Sequence, residues 1–176
     1  MTDEIFDVVD LNDRVLGQAS RSEIHRNNLF HRAVHIFVAR ADNCWVLQQR
    51  SKSKDLDPLL WTSSCSGHVD AGENYLCAAI RECEEELGIV GYAESFVEVF
   101  RASPCCETGY EFVRVYILRH EGFLRIDERE VIALEEYSFN AIEDLIKLAP
   151  NTFSGSFLHL FPFIKKGICS HKSRLS

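Results

Sequence analysis

The sequence predicts an α/β/α sandwich in which a mixed central β-sheet is held between helices. Short β-rich runs interleave with a few helix-like segments along the chain, the pattern of a mixed sheet covered by helices. With 176 residues, 46% of them hydrophobic, the chain can bury one sizeable core as a single domain, 1–176. A third observation is the stretch 67–89, GHVDAGENYLCAAIRECEEELGI, which opens on glycines and short side chains and then becomes a helix.

Residues 5–10 and 14–18 read as two short strands around Asn12-Asp13, an N-terminal hairpin over about 5–18. Ser20-Arg21-Ser22-Glu23 has capping-box spacing and starts a brief helical turn. RAVHIFVAR (32–40) and CWVLQQR (44–50) are strand-like runs joined by the turn Ala41-Asp42-Asn43, and His35, alternating with apolar neighbours, reads as structural. After residue 89, 96–103 and 110–119 read as strands connected through CCETG, followed by a strand at 130–139. Asn140 is placed to cap a helix through Leu148 that Pro150 closes. The Phe- and Leu-rich tail from Phe153 to Ile164 predicts a core-docking helix, shortened by Pro162.

At period 3.6, Glu82, Glu85 and Glu86 stand at i, i+3 and i+4 on one helix face, with Leu76, Ile80, Cys83 and Leu87 forming an apolar stripe on another. Glu73 precedes the helix, where a negative charge suits the dipole, and Gly88 follows its last turn. Like charges at this spacing repel, and Arg81, four before Glu85, relieves only part of that. A solvated acidic face is the plain alternative. Convergence of the acids behind a glycine-rich turn favours a Mg²⁺ site for a phosphorylated substrate. Arg50, Lys52 and Lys54, in the polar loop before this stretch, supply the cations that a diphosphate needs.

Gly67, five residues, Glu73, seven residues and then Arg81-Glu82-Cys83-Glu84-Glu85-Glu86-Leu87-Gly88-Ile89 resembles the Nudix box at every fixed position, with Cys83 where a larger aliphatic residue is usual. The resemblance implies a Nudix-type fold and Mg²⁺- or Mn²⁺-assisted cleavage of a diphosphate linked to another moiety. It implies that Glu82, Glu85 and Glu86 hold metal, one of them as base, and that a Glu73–Arg81 salt bridge orients loop and helix. The flanks resemble a narrower branch, the isopentenyl diphosphate isomerases, through LFHRAVHIFV, VLQQRSKSK, WTSSCSGH and YEFVRVY. This second resemblance implies diphosphate binding by Arg50 and Lys54, and a second divalent-metal site at His25, His31, His68 and Glu111, a residue also catalytic there. The branch's other glutamate ligand falls near Gly109, its catalytic cysteine at Ser66 and its active-site tryptophan near Asn151. Cys65, one place earlier, points to the opposite face of an extended segment.

The net charge is −8, and Asp70, Glu73, Glu82, Glu84, Glu85 and Glu86 alone supply six of those negatives. Such a balance argues against a nucleic-acid polymer as partner and for a small-molecule diphosphate that enters with a cation. The acidic start MTDEIFDVVD lacks the pattern of a signal peptide, and no apolar run approaches membrane-spanning length. Seven cysteines, an odd number without CxxC spacing, are simplest as reduced thiols of a cytoplasmic protein. Cys105 and Cys106 are adjacent in a loop, where ordinary thiols are the plain reading and metal or oxidant chemistry the alternative. A homodimer is compatible with all of this. Three function classes remain: a pyrophosphohydrolase, favoured by the complete glutamate set; a prenyl diphosphate isomerase; and a non-catalytic nucleotide module, which would have been free to lose glutamates.

Overall fold

The computed structural model describes residues 3–170. Ile5–Val9 (β1) pairs antiparallel with Val15–Ser20 (β2), and the Asp10 carboxylate closes the turn by accepting from the backbone N–H groups of Asn12 and Arg14. The hairpin runs to residue 20 because Ser20 is both its last paired residue and the N-cap of Arg21–Asn27 (α1), accepting from the Glu23 backbone N–H.

The main sheet is built on His31–Ala39 (β3). It joins Cys44–Arg50 (β4), Trp61–Thr62 (β5), Cys65–His68 (β6), Phe96–Ala102 (β7), Glu111–Arg119 (β8) and Val131–Ser138 (β9) in the order β5-β4-β3-β8-β7, with β6 added to β3 and β9 to β4. β3 and β8 run parallel and the other pairs antiparallel, so the sheet is mixed as expected. Helix Tyr75–Leu87 (α2) covers one face, and Phe139–Leu148 (α3) and Gly155–Ser170 (α4) cover the other. Ala33 and Phe37 of β3 pack with Phe157, Leu160, Phe161 and Ile164 of α4, while Val34, Ile36 and Val38 pack with Ala78, Ala79, Cys83 and Leu87 of α2. Both faces are covered, which is why β3 reads as an almost unbroken apolar run.

Three sequence expectations need correction. Asn140 lies inside α3; Ser138 is the N-cap, accepting from the Ala141 N–H at 3.3 Å, because burying Phe139 against Trp45 pulls the helix start back. Pro162 does not end α4: Phe161, Ile164 and Ile168 are buried around it, and their packing outweighs the roughly 3 kcal/mol that an interior proline costs. On α2 the buried set is Tyr75, Ala78, Ala79, Cys83, Glu86 and Leu87; Leu76 and Ile80 are only half-buried. Cys44, Cys65, Cys77, Cys83, Cys105 and Cys106 are free thiols, and the side chain of Cys169 lies outside the described residues.

Candidate active site and metal centres

Asn74 caps α2 by accepting from the Cys77 N–H, and Gly88, at φ +67°, ends it in the left-handed conformation with its N–H on the Cys83 and Glu84 carbonyls. Between these caps Arg81 organises the acids. Its guanidinium donates to Glu73 (2.9 and 3.2 Å), Glu82 (2.7 Å), Glu85 (3.2 Å) and the His68 carbonyl (3.0 Å), tying the loop before the helix to its acidic face. Gly67 is needed by close approach: a Cβ there would lie 2.1 Å from the Glu82 carboxylate. The three helix acids are not equivalent. Glu82 and Glu86 turn in toward the sheet, Glu86 only 3% exposed, whereas the Glu85 side chain is 58% exposed. Glu86 accepts from the Gln48 amide at 3.2 Å and the Ser66 N–H at 3.4 Å. Burial, then the neighbouring Glu86 charge, pushes the Glu82 carboxyl up to about 8, and burial raises Glu86 as well. Two inward-turned carboxylates that resist ionising together fit a divalent cation.

Sheet register builds the second cluster. The parallel β3–β8 pairing sets His31 beside Glu111, and the antiparallel β3–β6 pairing brings His68 to Ala33. His25 arrives from α1, and the donor nitrogens of His25, His31 and His68 all lie within 4.8 Å of one another. Glu111 Oε1 is 3.1 Å from His68 Nε2 and 3.5 Å from His31 Nε2. His31 Nδ1 donates to the Leu29 carbonyl at 2.9 Å, so its Nε2 carries a lone pair. That Nε2 and the Nε2 of His25 are buried without a hydrogen-bond partner. Phe6 of β1 stacks on the His68 ring at 4.6 Å. Burial lowers the His25 pKa to about 4, and the two neighbouring imidazoles add to the effect. Burial alone would raise Glu111, but the His31 and His68 rings beside its carboxylate prevail and hold it well below the usual carboxylate range. Orphaned imidazole nitrogens converging beside a carboxylate suit a borderline divalent ion such as Zn²⁺ or Mn²⁺.

Both clusters open on one cavity of about 910 Å³. Arg50 and Lys54 line it, close enough to Glu86 for their charges to act on one another. Arg50 uses Nε on the Leu56 carbonyl, and Lys54 pairs with Glu130. Ser66 also faces the cavity, while Cys65 is buried among the apolar residues under α2, the alternation expected of an extended segment.

A NUDIX domain model matches residues 29–160. The chain belongs to the Nudix family. It is 42% identical over 122 residues to an isopentenyl-diphosphate Delta-isomerase of Serratia proteamaculans, 68% of each chain being covered. It is 33% identical over 186 residues to Nudix hydrolase 3 of Arabidopsis thaliana, covering 94% of this chain and 24% of that protein. Among solved structures, DR0079 from Deinococcus radiodurans superposes with a TM-score of 0.71 at 25% identity, covering 86% of this chain and 92% of the other. The Nudix fold read from the box is thus present, and relatives named for hydrolysis and for isomerisation both stand close.

Within this Nudix cavity the structure adds cations that sequence reasoning passed over. Arg21, paired with Glu4 at 2.8 Å, and Arg129, forked onto Asp127, both line it. Neither belongs to a recognisable motif; Arg21 carried a signal only as part of a capping box. Asn151 is exposed in a short helical turn. Among the described residues that line the cavity, Phe6 is the sole aromatic, and it is committed to stacking on histidine. At the rim, Cys105 Sγ lies 3.6 Å from His159 Nε2, and Cys106 donates to Glu107 at 3.0 Å.

Proposed function

We propose that this chain is a divalent-metal-dependent Nudix hydrolase that cleaves the diphosphate linkage of a small organic diphosphate. One observation carries the reading: the buried Glu86, the half-buried Glu82 and the cations Arg50 and Lys54 line the same cavity. Glu82, Glu85 and Glu86 would hold Mg²⁺ or Mn²⁺, and His25, His31, His68 and Glu111 a second divalent ion. A bound ion polarises phosphoryl oxygens and eases loss of a proton from water. Arg50 and Lys54 receive the diphosphate oxygens. Arg81 fixes the directions of Glu82 and Glu85, and Gln48 with the Ser66 N–H fixes Glu86, so little reorganisation remains to be made on binding. Burial raises the proton affinity of Glu82 and Glu86 in the metal-free site, and whichever of the helix carboxylates is not engaged by the ion would take up the proton of an attacking water.

Isomerisation of isopentenyl diphosphate is the second reading, favoured by the histidine–Glu111 cluster and by the Serratia relative. Ser66 opposes it, since a hydroxyl is a far weaker acid–base group than a thiol, as does the lack of an uncommitted aromatic among the described residues of the cavity wall. The test is a screen of nucleoside diphosphate derivatives and prenyl diphosphates with Mg²⁺ or Mn²⁺. The expected result is phosphate or nucleotide release that excess EDTA abolishes. In deuterated water, rapid formation of deuterated dimethylallyl diphosphate from the isopentenyl isomer would establish the second reading instead.

A further inference from the structure

His35 stands across from Ser66 in the β3–β6 pairing, and both side chains line the cavity. Its protonation pattern follows from its neighbours. Ser63 is fully buried and donates its single hydroxyl proton to the Cys65 carbonyl at 3.1 Å. Toward His35 Nδ1, 2.9 Å away, Ser63 Oγ can therefore only accept. The ring is locked with its proton on Nδ1, leaving a lone pair on Nε2. No described residue bonds that nitrogen, although His35 is only 5% exposed. Burial, reinforced by the Arg50 and His68 charges and opposed by Glu111, keeps the ring neutral, with a pKa pushed down to about 4. A neutral imidazole with one fixed, uncommitted acceptor is costly to bury against an apolar group.

Nearby cavity positions supply donors. Thr62 accepts from the Ser154 hydroxyl at 3.2 Å, and Ser154 in turn accepts from the Phe157 N–H, so the Thr62 O–H remains free to donate. The Ser66 hydroxyl is likewise uncommitted among the described residues. Acceptor and donors together match a hydroxyl group, which needs both.

We propose that His35 Nε2 is a fixed hydrogen-bond acceptor for a hydroxyl on the organic half of the substrate, with Thr62 and Ser66 as complementary donors. The substrate class is then a diphosphate carrying a ribose or another polyhydroxylated group. This inference rests on the reading of the cavity as a diphosphate site. A prenyl group would leave Nε2 desolvated and unpaired, and sites built for a hydroxyl discriminate strongly against analogues without one.

The test is calorimetric binding of ADP and of 2′,3′-dideoxy-ADP, a pair differing only in hydroxyls, with Ca²⁺ in place of Mg²⁺ to slow turnover. Wild type is expected to bind ADP about tenfold more tightly, the value of one hydrogen bond. His35→Phe should cut that ratio severalfold, leaving only what Thr62 and Ser66 contribute, His35→Gln should restore part of the loss, and Arg50→Ala should weaken both ligands while keeping the ratio. A ratio unchanged in His35→Phe, or no ratio in wild type, overturns the inference and leaves the diphosphate reading standing. Wild type that binds both nucleotides no better than adenosine overturns the diphosphate reading and this inference with it. Nitrogen-15 NMR of labelled histidines in wild type gives a check that needs no folded phenylalanine variant. The His35 signal, assigned by its loss in His35→Gln, should show the Nδ1–H form and move at Nε2 with ADP but not with the dideoxy analogue; the Nε2–H form would overturn the inference.

Discussion

Glu82 ties stability to acidity in the metal-free protein. Its folded-state pKa of about 8 lies above the ordinary carboxylate value of 4.5, so folding favours the protonated acid. The associated stability is complete below the ordinary value and is lost as pH rises through the folded one. Glu82→Gln removes its share of the dependence, while that of the buried Glu86 remains. At about pH 9 the metal-free variant is expected to exceed wild type by on the order of 3 kcal/mol in urea unfolding, and at about pH 4 the two should coincide. Its turnover should fall by orders of magnitude, as should that of Glu86→Gln; equal stability at both pH values would sink the argument. Arg50→Ala should weaken a diphosphate ligand by about 1–3 kcal/mol with the fold intact, measured by calorimetry. Glu82 and Glu86 stood out in the sequence by a fixed spacing, and Arg50 by its place in a basic loop. His35 did not: its alternation with apolar neighbours is that of any strand interior, and only the buried Ser63 beside it reveals which nitrogen is free.

Secondary-structure elements were most legible where local chemistry alone sets them. Ser20 and Gly88 mark helix ends in the sequence as they do in the fold, because a cap is made within four residues. Asn140 and Pro162 misled because burial of Phe139, Phe161 and Ile164, a tertiary matter, prevails over propensity. Ser138→Ala is therefore expected to cost about 1 kcal/mol in urea denaturation, and Asn140→Ala to stay within about 0.5 kcal/mol. The reverse ranking would reinstate the cap suggested by the sequence. Gly67→Ala should displace the Glu82 carboxylate and weaken Mn²⁺ binding, read by calorimetry, more than it lowers the unfolding midpoint.

At the scale of the whole molecule, the register of β3 decides what the site contains. Pairing with β8 on one side and β6 on the other collects His31, Glu111 and His68 at one end of a single strand, an arrangement that sequence could suggest only by family resemblance. Metal-stripped protein is accordingly expected to take up two classes of Mn²⁺. Glu86→Gln should remove one class and His31→Ala the other, counted by equilibrium dialysis; loss of both in either variant would mean a single centre. The hairpin of β1 and β2 belongs to this arrangement although it lies outside the NUDIX match at 29–160. Phe6 stacks on His68, Asp7 accepts from the Gly72 N–H, and Ile5 holds the Ala71 N–H. A chain trimmed to the family boundary would lose His25 outright and the clamp over residues 70–73 as well. The family match and the contacts around the candidate site thus differ at the N-terminal side by about one hairpin and a short helix, so the structural unit is drawn around contacts rather than around similarity.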